Sequence, residues 1–152
     1  RPFLEQRTHG AYRIGRPRTR LVAGGARAYN GDMADAITRW IDDYRRAWES
    51  NDPDDIRALF TEDASYRTEP FAEPWDGHIE IVEGWLDARD DPGAASFEWR
   101  VVGQDGPQYF VEGVTDYREG PTYSNLWIIL LAPDGRAQEF TEWWMEQDAD
   151  DQ

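Results

Sequence analysis

Leu59-Phe60-Thr61-Glu62-Asp63-Ala64-Ser65-Tyr66-Arg67-Thr68-Glu69-Pro70-Phe71 is the stretch on which the reading of the fold turns. Its first residues close a short helix, Ala64 to Thr68 follows as a short strand, and Pro70 ends that strand by holding Glu69 extended. Pro74 and Asp76-Gly77 continue the break as a loop. Upstream, the short helix is predicted over 53–61. Asp52 can cap it, Pro53 suits its first position, and Asp54 and Asp55 favour the positive end of its dipole, while Ile56, Leu59 and Phe60 face inward. Before it, Ile37, Trp40, Ile41, Tyr44, Ala47 and Trp48 form one continuous apolar stripe, which predicts a first helix over 34–50 with Asp42, Asp43, Arg45, Arg46 and Glu49 on the opposite face. Downstream, Ile81, Val82, Trp85 and Leu86 mark a third helix over 78–89, ended by Asp90-Asp91-Pro92-Gly93. Four strands are then predicted over 96–103, 108–118, 122–132 and 137–146, separated by Gln104-Asp105-Gly106, Glu119-Gly120-Pro121 and Pro133-Asp134-Gly135 as hairpin turns. Phe97, Trp99 and Val101 alternate with Glu98 and Arg100, and Tyr123, Asn125, Trp127 and Ile129 share one parity, so the sheet has two unlike faces.

Length and composition narrow the classes open to this chain. Its 152 residues suit one domain with a hydrophobic core. Cysteine is absent, which excludes disulfides, Cys-based metal sites and thiolate catalysis and fits a cytoplasmic protein. The longest apolar run, Leu126 to Ala132, is too short to span a bilayer. The net charge of −15 repels phosphate backbones, so neither nucleic acid nor membrane is an expected partner. Eight Trp, seven Tyr and six Phe are more than a core of this size needs, and some are expected to line a pocket or an interface.

The charge is unevenly placed. Residues 1–32 hold seven Arg against Glu5 and Asp32, whereas residues 33–152 hold nine basic and 29 acidic residues. The first 32 residues show no sustained period and frequent breakers. They are read as a basic, disordered leader, with the native start expected at Met33; a mitochondrial-type targeting peptide is the alternative reading. Residues 33–147 form the expected domain, and 148–152 an acidic, frayed tail.

Helix–helix–strand–loop–helix–four strands is a specific order. Together with Leu59 to Phe71, Trp75-Asp76-Gly77 and Glu139-Phe140-Thr141-Glu142-Trp143-Trp144, it resembles the nuclear transport factor 2-like superfamily, and within it the SnoaL-like and ketosteroid isomerase-like branch. The resemblance covers about 33–147. It implies an α+β fold in which a cone-shaped, curved antiparallel sheet wraps around three helices, the cystatin-like α+β barrel. It further implies a mostly apolar pocket at the open end, and a homodimer formed through the convex face of the sheet. The fold hosts isomerases, hydrolases, dehydratases, cyclases and non-catalytic subunits, so it does not assign an activity.

In ketosteroid isomerases a helix-one tyrosine donates to an oxyanion, a carboxylate near the end of the first strand moves the proton, and a protonated aspartic acid on a later strand is a second donor. Tyr44 lies where the tyrosine should be, though a tyrosine on an apolar stripe also reads as a core residue. Glu69 precedes Pro70 as the base carboxylate precedes a proline in that family. An ungapped count from Tyr44 puts Thr68 on the position, and a solvated loop carboxylate is the other reading. No Asp matches the third position; Trp127 or Asn125 comes closest, and Asn125 offers an amide donor. That departure puts steroid-type isomerisation in doubt.

His78, at the start of the third helix, is a candidate base or pocket donor and equally a surface or capping residue. It has no partner at metal spacing. Asp63 reads as a brace of the helix–strand turn. Glu139 and Glu142 lie on opposite faces of the last strand, and parity alone does not say which points inward. Trp40, Trp48, Trp75, Trp85 and Trp127, with Tyr66 and Phe71, are the candidate lining of a pocket for a flat hydrophobic ligand; each reads equally as core packing. No Gly-x-Ser-x-Gly elbow, Walker-type loop or Rossmann fingerprint occurs, so no cofactor is implied. The expected function is a small-hydrophobic-molecule pocket, either in a cofactor-free acid–base enzyme of isomerase, dehydratase or cyclase type or in a non-catalytic homodimeric binding module.

Overall fold

The computed structural model describes residues 31–148, with side chains from residue 35 onward. Residues 1–30 and 149–152, which hold nearly all of the predicted leader and acidic tail, lie outside the described residues. The described elements are α1 (Gly31–Ser50), α2 (Pro53–Ala58), β1 (Phe60–Arg67), β2 (Trp75–Asp76), α3 (Gly77–Asp87), β3 (Ala95–Asp105), β4 (Gln108–Tyr117), β5 (Thr122–Leu131) and β6 (Ala137–Glu146). The strands form one curved, unclosed sheet in the order β2-β1-β6-β5-β4-β3. Its pairings are antiparallel except for β1 with β6, which run parallel. The long connection through β2, α3 and the three hairpin strands makes that parallel return possible.

The apolar stripe of α1 is buried as its spacing requires: Ile37, Trp40, Ile41, Tyr44 and Ala47 are all within 3% of full burial. Asp52 caps α2, its side chain accepting from the Asp54 backbone N–H at 2.7 Å, with Pro53 in the first turn. This helix is shorter than its pattern suggests. Phe60 leaves it to begin β1 opposite Ala137, and the register then shifts before Ser65 meets Glu139. A bulge there lets an eight-residue strand occupy what reads as a helix end and a short strand.

Inward-facing residues alternate along the hairpin strands: Tyr109, Val111, Thr115 and Tyr117 on β4, and Tyr123, Trp127, Ile129 and Leu131 on β5, are buried. Gly113 interrupts the β4 row for a reason of space. A Cβ there would stand 2.4 Å from the Phe97 ring, which crosses the strand to stack on Trp127 at 4.6 Å between centroids. The outer face carries half-buried Phe110, Leu126, Ile128 and Leu130 beside exposed Trp143 and Met145.

Candidate functional site

The interior of the cone is an aromatic cluster built around Tyr44. Its ring lies 4.7 Å from Trp127, 5.1 Å from Trp85, 5.6 Å from Trp40 and 5.8 Å from Phe140. α1 supplies Trp40, Tyr44 and Trp48; α3 supplies Trp85; the sheet closes the far side with Trp127 and Phe140. Within this apolar surround the Tyr44 hydroxyl donates to Glu142 Oε1 at 3.2 Å. Glu142 is 5% exposed, and Glu139, three residues earlier on β6, faces solvent. Glu142 sits directly across from Trp127 in the β5–β6 register. The Trp127 indole N–H is buried and has no hydrogen-bond partner among the described residues. A carboxylate, a phenol and an indole N–H are thus brought together where water is scarce, which strengthens each polar interaction they make.

The other residues anticipated from sequence occupy different places. Glu69 is half-buried in the turn after β1, its carbonyl accepting from the Ala72 N–H at 3.2 Å. Asn125 faces inward on β5 and accepts through Oδ1 from the Thr115 hydroxyl at 2.8 Å. His78 Nε2 lies 2.8 Å from the Phe60 carbonyl oxygen; as an N–H it donates there and ties α3 to β1. Asp63 is exposed and accepts from the Thr61 hydroxyl at 3.0 Å. Tyr66 is buried, stacked at 4.7 Å on Phe140, with the half-buried Trp75 edge-on at 5.1 Å. Phe71 is 96% exposed on the β1–β2 loop, pointing away from the aromatic interior. The structure therefore gathers Trp40, Trp85 and Trp127 around Tyr44, whose hydroxyl reaches Glu142, while His78 and Phe71 stand apart.

One buried carboxylate had no sequence signal. Asp90, in a stretch that reads as a solvated turn, is 4% exposed. Its Oδ2 accepts from Trp48 Nε1 at 2.9 Å and from the Tyr117 hydroxyl at 3.1 Å. Among the described residues, no group of three or more His, Asp or Glu side chains is placed to hold a metal ion. No helix among them is long and apolar enough to cross a membrane.

A curved sheet folded over three helices with a polar pair in an aromatic interior defines an NTF-2-like, cystatin-like α+β cone. The chain belongs to the SnoaL-like domain family, whose family model matches residues 41–146. An NTF-2 like protein of unknown function from Burkholderia xenovorans LB400 superposes with a TM-score of 0.61 at 17% identity, covering 78% of this chain and 89% of the other. The epoxide hydrolase/cyclase-like enzyme SalBIII, which has a role in pyran ring formation in the polyether salinomycin, gives 0.59 at 18% identity over 75% and 93%. An LEH-like epoxide hydrolase of M. tuberculosis gives 0.52 at 16% identity over 74% and 84%. At these identities the likeness establishes the fold alone. No curated protein matches the chain in sequence.

Proposed function

We propose that the protein binds a small hydrophobic molecule at this aromatic centre and acts on it as a cofactor-free acid–base enzyme, with Glu142 as the proton acceptor. The single observation that carries this reading is the buried Tyr44–Glu142 hydrogen bond. A structural carboxylate gains nothing from burial that an apolar residue of equal size does not supply more cheaply. Beside a reacting carbon, Glu142 would take the proton. The Tyr44 hydroxyl and Trp127 N–H would then stabilise charge developing on a neighbouring carbonyl oxygen. Ring closure, dehydration and isomerisation all use such a step, and two of the structural neighbours carry hydrolase or cyclase names.

Glu69 remains the rival base, at the end of β1. The two assignments separate in a paired experiment on any carbonyl compound that raises the melting temperature in a thermal-shift screen. Glu142→Gln keeps the acceptor for Tyr44 and should lower turnover by about 100-fold or more with little loss of ligand affinity. Glu69→Gln should then change turnover less than about threefold. The reverse pattern moves the base to Glu69. Binding with no turnover in any variant favours the second reading, a non-catalytic homodimeric binding module. The close aromatic filling around Tyr44 and the apolar outer face of the sheet support that second reading.

A further inference from the structure

The aromatic interior is filled by its own side chains, so a ligand that binds there must displace one of them. Resting on the reading of that interior as a ligand site, we propose that the side chain displaced is Phe97 and that the ligand is a flat aromatic ring with a hydrogen-bond acceptor on a side arm. Phe97 is 4% exposed, and its ring fills the place the ligand's ring would take. It stacks on Trp127 at 4.6 Å between centroids with the planes 20° apart. Gly113 forms the floor beneath it: a Cβ there would stand 2.4 and 2.6 Å from two Phe97 ring carbons. Trp48 closes the side edge-on at 6.2 Å. These three residues wall a slot one ring thick, and rings stacked in that way recognise flatness.

Two local costs meet at this slot. A glycine in the middle of a ten-residue strand weakens the strand and marks a place where another group comes close. The Trp127 indole N–H is buried with no hydrogen-bond partner among the described residues, and an unpaired buried donor is expensive. An aliphatic pair at 97 and 113 would avoid the first cost, and a phenylalanine at 127 the second. A ligand ring in the slot makes use of both: Gly113 gives it room, and an acceptor on an arm that turns past the rim of Trp127 satisfies the N–H. Phe97 is also placed to leave. β3 is the last strand of the sheet, and no described strand pairs with its far edge. Ser96 and Glu98 on either side of Phe97 are exposed, and Trp99 is half-buried. The Phe97 ring can therefore swing past the free edge of β3 without unpairing the strand from β4. Because Trp127 also touches Tyr44, at 4.7 Å between rings, a ligand ring in the slot lies one side chain away from the Tyr44–Glu142 pair.

The test uses the full chain and benzylacetone, a phenyl ring with a ketone on a flexible arm, beside the hydrocarbon in which a methylidene group replaces the ketone oxygen. Binding is followed in nitrogen–proton correlation spectra, with the Trp127 indole N–H assigned through Trp127→Phe. In the wild-type protein benzylacetone should shift the Gly113 amide and the Trp127 indole resonances together. The indole proton should move downfield with the ketone and not with the hydrocarbon. Phe97→Ala removes the internal competitor and should tighten benzylacetone about tenfold or more. Adding Gly113→Ala to that variant puts a methyl group into the slot and should cancel the gain. Should Phe97→Ala fail to fold, Phe97→Leu keeps more of the buried bulk and should still bind more tightly than the wild type. A folded Phe97→Ala protein that binds within about twofold of the wild type overturns the proposal. So does a wild-type Gly113 resonance that stays in place at the solubility limit of benzylacetone, a result that needs no variant of Phe97. Shifts confined to the Trp40 and Trp85 indoles would remove the slot and keep the aromatic interior as the ligand site. Binding in the slot with turnover unaffected by Glu142→Gln would keep the slot and remove the assigned base.

Discussion

Tyr109 lies on the inward face of β4 opposite Ile129, and burial raises its phenol above the ordinary value of 10.0. The unfolded chain releases that proton near pH 10, the folded protein only at higher pH. Tyr109 therefore contributes its full share of stability below about pH 10, and that share is lost as pH rises through the folded value. Alkaline denaturation should show a step of this origin that Tyr109→Phe removes, read as the pH dependence of the urea midpoint. A wild-type and a variant profile that coincide above pH 10 would contradict it. The same scale shows why the site was only partly legible in the sequence. Tyr44 is legible because a helical stripe has one inner edge. Glu142 is not, because Phe140, Glu142 and Trp144 share one face of β6 while Glu139, Thr141 and Trp143 share the other, and both rows hold an acid and a tryptophan. Only the partner strands decide which row is inside. Asp90 is hidden for a different reason. Its donors come from α1 and β4, 42 and 27 residues away, and no local pattern encodes that convergence.

At the scale of elements, periodicity located each helix among the described residues and the four long strands, and it failed where an element is too short to have a period. β2 is two residues long and pairs Trp75 with Tyr66 and Asp76 with Ser65. The Pro and Gly around it signal a loop, and the pairing is visible only once β1 is in place. What β2 does is aim the Trp75 ring at α3. Gly84 answers it: a Cβ at that position would stand 2.3 to 2.6 Å from the Trp75 ring carbons. The ring has little freedom to yield, since Tyr66 meets it edge-on at 5.1 Å. In an isolated helix Gly84→Ala would stabilise by about 1 kcal/mol. Here the forced overlap costs about 1–3 kcal/mol, and the expected net effect is a loss of about 1 kcal/mol. Urea denaturation of the variant measures it. A gain in stability would show that β2 and α3 move apart at no cost.

At the scale of the whole molecule, the sheet has an inner face that the helices cover and an outer face that nothing described covers. Leu126 and Trp143 stand opposite each other on the outer side of β5 and β6, with Ile128, Leu130 and Phe110 alongside and Met145 63% exposed. Such a contiguous apolar face on an otherwise acidic chain marks an association surface, and two copies meeting through it is the arrangement we propose. Two forces then compete. Apolar burial draws the copies together whatever the salt concentration, whereas a net charge of −15 on each pushes them apart over the Debye length, about 10 Å at 0.1 M and about 30 Å at 0.01 M ionic strength. The dimer should therefore tighten as salt is raised, the opposite of an association held by ion pairs. Sedimentation equilibrium should give twice the 17.6 kDa of one chain at moderate salt and a lower average mass at low salt. Replacing both Leu126 and Trp143 by Glu places four carboxylates in the joint and should leave a folded monomer under all salt conditions. A wild-type protein that sediments as a monomer at high salt would assign that face to a different partner.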